Sequence, residues 1–350
     1  MRYCAILILC LTVSCQIKNI QTAGSAGKIN PVFTTFPVEF SIRAIHVLNP
    51  DMMWFSGNKG SYGYTDDGGA TWNIDSISYQ GLELEFRSIA VIPQAVMVLN
   101  AGTPACLFRS TDNGKSWDMV YREDHPDVFY DAMEFWDHLN GIAIGDPVDG
   151  CLSIIITNNG GKSWTKLGCD KLPATVAGEA AFAASNSNIS LFRQHAWVVS
   201  GGTKARVFHS ADRGKSWEVF PTPLIQGGKM TGIFSVDFYD QNRGIIFGGD
   251  WENKSMNHMN KAVTADGGKT WQLISDGQGP GYRSCVQYIP GSKGRQILAV
   301  GTPGVSYSSD GGQNWQHFDQ QDFYTLRIAG NTNVAWLAGK GKIGRMEINE

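Results

Sequence analysis

The sequence predicts an all-β protein, a seven-bladed β-propeller whose final blade is closed by strands from both chain ends. Two observations carry this: one short phrase recurs six times, and the apolar runs between its copies show no long helical periodicity. The phrase ends at Trp72, Trp117, Trp164, Trp217, Trp271 and Trp315, giving intervals of 45, 47, 53, 54 and 44 residues. A period of that length marks a repeat architecture.

The copies read TDDGGATW (65–72), STDNGKSW (110–117), TNNGGKSW (157–164), SADRGKSW (210–217), TADGGKTW (264–271) and SSDGGQNW (308–315). Each has the chemistry of a hairpin turn. Asp67, Asp112, Asn159, Asp212, Asp266 and Asp310 can accept hydrogen bonds from turn N–H groups, and the Gly two residues later tolerates a positive φ. The opening hydroxyl adds a local bond, and the closing Trp offers a large apolar face for packing between blades.

Between the phrases, strand-length runs rich in Val, Ile and Phe occupy 86–99, 141–145, 196–200, 245–247 and 296–300. Roughly four such strands in about 45 residues make one blade. Six phrases give six units, and the tail holds three more strand-like pieces at 324–329, 334–338 and 343–348. Residues 32–36 then supply the missing outer strand of a seventh blade, which removes exposed sheet edges.

Residues 1–15, MRYCAILILCLTVSC, read as a secretory signal that is too short to span a membrane. The ending LTVSC resembles a bacterial lipoprotein signal, so Cys15 is the expected lipidated residue, the alternative being an ordinary cleaved signal, with a flexible tether over 16–30 and one propeller domain over 31–350. Membrane association would run through that lipid. The expected location is the bacterial cell envelope. Of the four other cysteines considered, Cys106, Cys151, Cys169 and Cys285, only Cys151 and Cys169 share a blade and form a plausible local pair. Their spacing carries no metal signature, and no cofactor is expected. A net charge of -3, from 29 basic and 32 acidic residues, argues against a nucleic-acid-binding surface. The ring is expected to act as a monomer.

Function is expected where the innermost strands meet. Aligning them on a small residue (Ala44, Ser88, Ala132, Ala180, Ser235, Ser284, Thr325) places Arg43, Arg87, Asp131, Glu179, Phe234, Arg283 and Tyr324 around one mouth. The arginines suit a carboxylate or phosphate, which a guanidinium meets with paired hydrogen bonds. Alternatively they pair with Asp131 and Glu179 across a wet channel. A second ring of Gly-rich loops includes 102–104, 145–147, 201–203, 248–250 and 301–303, with Asp146 and Asp250 adding carboxylates. Longer inserts at 125–130, 171–190 and 251–261 are expected to decorate a face and shape a partner groove.

The phrase S/T-x-D-x-G-x-S/T-W resembles the Asp-box, or BNR, repeat, with Asn159 and Asn314 as departures. The near-complete occupancy of blades, together with a blade end such as 301–303 before SSDGGQNW, resembles the photosystem II assembly and stability factor family and its non-photosynthetic relatives. That resemblance implies a non-catalytic, chaperone-like scaffold for an unidentified protein partner, with Arg43, Arg87 and Arg283 as contacts. A weaker resemblance is to sialidases, which implies an acidic glycan as ligand. Those enzymes use three arginines on a sugar carboxylate, a tyrosine nucleophile helped by a glutamate, and an aspartate acid/base. Here Tyr324, Glu179 and Asp131 would fill the last three roles. The chain has no Phe-Arg-Ile-Pro-like segment near its first blade, and no Gly-x-Gly-x-x-Gly opens a helix after a strand.

Overall fold

The computed structural model describes residues 27–302, 304–319 and 322–349, so the proposed leader, Cys15, the tether up to residue 26 and Pro303 lie outside the described residues. Antiparallel strands dominate, with one short 3-10 turn at Cys169–Lys171. Consecutive sheets stand around a central axis, and their first strands pack side by side in a circle. Thr325–Ile328 lies against both Cys285–Tyr288 and Val32–Val47, where that circle closes.

The blade count differs from the expectation: among the described residues hydrogen bonding gathers the strands into six sheets, so the propeller is six-bladed rather than seven-bladed. The tail does not stand as a blade of its own. Thr325–Ile328 pairs with Val334–Glu347, which pairs with the first half of Val32–Val47, whose second half pairs with Met53–Gly57. The cause lies in the sequence between residues 32 and 47, which contains no Gly, Asn or Asp. Without a Gly, Asn or Asp to supply a positive-φ corner, the chain stays extended through a register shift between Pro37 and Ser41, and one strand serves both partners. The two chain ends therefore share a six-stranded sheet with the first unit.

The repeated phrases behave as hairpin corners. In the first, Thr71 N–H and Oγ1 donate to Asp67 at 2.9 and 2.6 Å, while Gly69 N–H donates to Thr65 Oγ1 at 2.9 Å. The same contacts recur at Asp112 and Asp266. Hydrogen bonds from Thr71 hold the Asp67 carboxyl down at about 2. At Asn159 the roles adapt, since its Nδ2 donates to Ser163 Oγ at 2.8 Å.

These corners also tie neighbouring blades. Tyr62 Oη donates to Gly114 O at 2.7 Å, Arg109 Nε to Gly160 O at 3.0 Å, and Trp197 Nε1 to Gly267 O at 2.8 Å, each from the preceding unit. At Gly161 φ is 74°, and a Cβ there would sit 2.2 Å from Met97 Sδ. Glycine is required at that corner by both backbone and neighbour. Trp117 meets Tyr62 edge-on at 4.9 Å, and Trp315 meets Phe247 at 5.6 Å, so the phrase tryptophans do pack between blades.

Cys151 and Cys169 form a disulfide, joining the strand Cys151–Thr157 to the 3-10 turn. Cys106 and Cys285 are buried free thiols.

Candidate binding pocket at the ring mouth

Four of the seven expected mouth residues share one backbone feature. Ladder pairing jumps from Ile42 to Ala44, from Phe86 to Ser88, from Tyr130 to Ala132 and from Ile233 to Ser235. The skipped residues are Arg43, Arg87, Asp131 and Phe234. A β-bulge re-aims its extra side chain out of the strand's alternation. All four consequently line one cavity of about 480 Å³ at the mouth.

The axis behind this cavity is filled. Residues 181–188 are buried; they belong to the insert at 171–190 that is expected to decorate a face and shape a partner groove, and residues 178–184 do line this cavity. Ser185 Oγ donates to Ser284 O at 2.6 Å, Thr325 Oγ1 donates to Ser185 O at 2.9 Å, and Met133 N–H donates to Asn186 Oδ1 at 2.9 Å. The small side chains of residues 183–188 let this segment thread the ring and bond to strands on several sides. Arg87 Nη1 donates to Ala183 O at 3.0 Å and Arg43 Nη1 to Ala184 O at 3.4 Å, so the two arginines cap its entry.

Arg43 lies 4.2 Å over the Tyr324 ring, and burial lowers its pKa, as does the neighbouring Arg87. Arg87 pairs with Glu85 at 2.6 Å on its outer side, while its Nε has no hydrogen-bond partner. Asp131 is fully buried, and neither carboxyl oxygen has a hydrogen-bond partner. Burial pushes its pKa well above the carboxylate range, Asp146 adds to the rise, and Arg87 opposes it. Asp146 accepts from Ala181 N–H at 2.8 Å, yet burial still lifts it to about 6. Aromatic rings form the walls: Phe182 stacks on Phe234 at 4.1 Å, and Tyr282 meets Phe234 edge-on at 4.8 Å. Trp251 lines the outer lip and is 45% exposed.

Three expected residues are placed differently. Arg283 is absent from the pocket lining: its guanidinium donates to Tyr282 O at 2.7 Å and Ser306 Oγ at 2.8 Å, and Tyr282 takes its place. The sequence alignment slips by one residue there. Glu179 borders the cavity, but its carboxylate is committed to Arg206 Nε at 2.9 Å and Ser200 Oγ at 2.6 Å. Its strand, Glu179–Ala180, pairs with Gly201–Gly202 instead of heading a blade, because residues 181–188 occupy the axis. Tyr324 stands behind Arg43 instead of lining the cavity. The sialidase-type constellation is therefore not assembled: Arg283 points elsewhere and Glu179 serves Arg206. Asp250 caps a turn by accepting from Glu252 and Asn253 N–H groups.

The opposite end of the axis holds a group that the alignment passed over. Glu134, Asp237 and Arg327 line a cavity of about 200 Å³, with Arg327 Nη2 bonded to Asn186 O at 2.5 Å. Burial raises Glu134 to about 7 and Asp237 to about 6, and burial with Arg327 lowers His46 to about 4. Each stands two residues after its aligning small residue (Ala132, Ser235, Thr325, Ala44), so period-2 alternation was the available signal. No group of three or more metal-ligating side chains is found among the described residues.

The buried acids set a pH dependence. Asp146 titrates near 6 in the folded chain against 3.8 ordinarily, and Asp131 is shifted the same way. Between those values the native state binds more protons than the unfolded chain, so this contribution to stability is present below about pH 4 and is lost as pH rises through the folded values. Asp131→Asn is expected to gain roughly 1–3 kcal/mol at pH 8 and to flatten the decline. Urea unfolding at pH 5 and pH 8 checks this. Parallel pH profiles for the variant and the parent chain would refute it.

Comparison with known proteins agrees with a propeller of this repeat type. Residues 32–126 match the family model for the photosynthesis system II assembly factor YCF48. No curated protein matches the chain in sequence. Among solved structures, YCF48 bound to D1 peptide superposes with a TM-score of 0.65 at 15% identity, covering 89% of this chain and 96% of that one. YCF48 from Cyanidioschyzon merolae gives 0.62 at 16%, covering 91% and 98%. The GH74 xyloglucanase from Xanthomonas campestris gives 0.61 at 14%, covering 89% of this chain and 53% of that one. At these identities the likeness establishes a shared fold, which both a binding protein and a glycosidase carry.

Proposed function

We propose that this chain is an exported, lipid-anchored, non-catalytic propeller that binds a protein segment at its mouth and acts as an assembly scaffold. The carrying observation is the set of bulges at Arg43, Arg87, Asp131 and Phe234, which turn charged and aromatic side chains into one open cavity. A partially exposed Trp251 at its lip, with Lys254 Nζ 4.9 Å over the ring, adds the amphipathic contact that interfaces favour. The solved complex of YCF48 with a D1 peptide supports a peptide as the kind of ligand for such a ring. Lipidation at Cys15 would keep the mouth near membrane partners.

Affinity capture from a solubilised membrane fraction with the full chain tests this reading. The double variant Arg43→Ala, Arg87→Ala is expected to lower recovery of a discrete partner by about tenfold or more. Arg283→Ala should spare capture in whatever fraction stays folded, since Arg283 faces away from the pocket. Undiminished capture by the double variant would exclude the mouth. Sialoside turnover that vanishes in Tyr324→Phe would replace the scaffold reading with a glycosidase.

A further inference from the structure

Resting on the reading of the mouth as a peptide site, we infer that its floor recognises a neutral carboxamide, an Asn or Gln side chain of the bound segment. The argument starts from two unmet hydrogen-bonding demands in one place. Asp131 holds two buried carboxyl oxygens without donors, and Arg87 a buried Nε–H without an acceptor. Both residues line the same cavity, on inner strands that pack against each other. Leaving such groups unpaired costs about 1–3 kcal/mol each, so a ligand that satisfies both gains more than one that satisfies either.

Charge narrows the choice. An anionic group entering the cavity faces Asp131 and Asp146, whereas a cationic group faces Arg43, Arg87 and Lys229. Glu85 and Glu179 are already paired with Arg87 and Arg206, so neither is free to neutralise an incoming cation. A carboxamide places an acceptor oxygen and a donor nitrogen on one carbon and carries no charge. It can accept from Arg87 and donate to Asp131 without opposing either set. The aromatic walls, Phe129, Phe234 and Trp251, then take the apolar part of that residue and its neighbours.

The test uses small probes on the full chain at pH 8, above the folded value of about 6 for Asp146, with saturation-transfer NMR to rank N-acetylglutamine amide, N-acetylglutamate amide, N-acetyllysine amide and glucose. The glutamine probe is expected to bind about tenfold more tightly than the glutamate probe. Asp131→Leu should abolish that preference, and Asp131→Asn, which removes the opposing charge, should bring the glutamate probe level or ahead. Thermal unfolding confirms that each variant is folded. Glutamate binding as tightly as glutamine in the parent chain overturns the inference, as does an Asp131-dependent preference for glucose. Partner capture that depends on Arg43 and Arg87 but is unchanged in Asp131→Leu also overturns it, and leaves the scaffold reading standing.

Discussion

Replacing Trp336 by alanine is expected to cost about 3–5 kcal/mol, the range for removing a fully buried indole from a packed core. Trp336 has no solvent exposure, and its Nε1 donates to Pro50 O at 3.1 Å. It contacts Phe36 and Trp72, each at a ring distance of 6.0 Å, so one side chain of the C-terminal strand touches both the N-terminal strand and the first Asp box. The deletion leaves a cavity where the two chain ends share a sheet, and it strips the Pro50 carbonyl of its donor. Trp336→Phe keeps a stacking ring and loses only the hydrogen bond and part of the volume, so it should cost markedly less. Urea denaturation of the three proteins gives the order parent, Phe, Ala. A loss below about 1 kcal/mol for alanine would mean that the shared sheet does not depend on this cluster.

The Asp boxes were legible because each is a local device: a hydroxyl, a carboxyl or carboxamide, and a glycine within eight residues fix a corner without help from the rest of the chain. Arg43, Arg87, Asp131 and Phe234 were legible for a related reason, since each immediately precedes a small residue that rejoins the ladder after the bulge. Arg283 and Glu179 were misplaced where that local marker fails. Around Ser284 the chain reaches its ladder one residue out of step, and after Glu179 the axis is filled by residues 181–188, whose side chains, small from 183 on, give no strand pattern. The blade count was not legible from phrases. It depends on whether hydrogen bonding runs on through residues 37–42, and a missing turn signal is harder to read than a present one. Glu134, Asp237 and Arg327 each stand two residues beyond a small position, where period-2 alternation carries the side chain to the far end of the axis, whereas the residue before the small position marks only the mouth.

Removing the Cys151–Cys169 bridge should produce a loss of about 2–4 kcal/mol, following the closure entropy of a short loop. The bridge spans 18 residues and encloses the third Asp box. The outer strand within it, Thr165–Lys166, makes only two ladder pairs, to Ile155 and Ile156, followed by Leu167 N–H donating to Ile154 O at 2.9 Å and an ion pair from Lys166 to Glu123, so the bridge reinforces a short blade edge. The double variant Cys151→Ala, Cys169→Ala is preferred to serine because Cys151 is buried and alanine brings no polar group into that site. Dithiothreitol treatment of the parent chain should reproduce the variant's urea midpoint, and reoxidation should restore it. Buried Cys106 and Cys285 are shielded from exchange. The chain leaves the bridge toward Glu179 and then enters the axis at residue 181, where the carbonyls of Ala183 and Ala184 seat Arg87 and Arg43. Loosening the bridge is therefore expected to raise amide exchange first in residues 165–180 and then at the mouth. Exchange that increases uniformly around the ring, or a midpoint indifferent to reductant, would show that the bridge does not anchor that path.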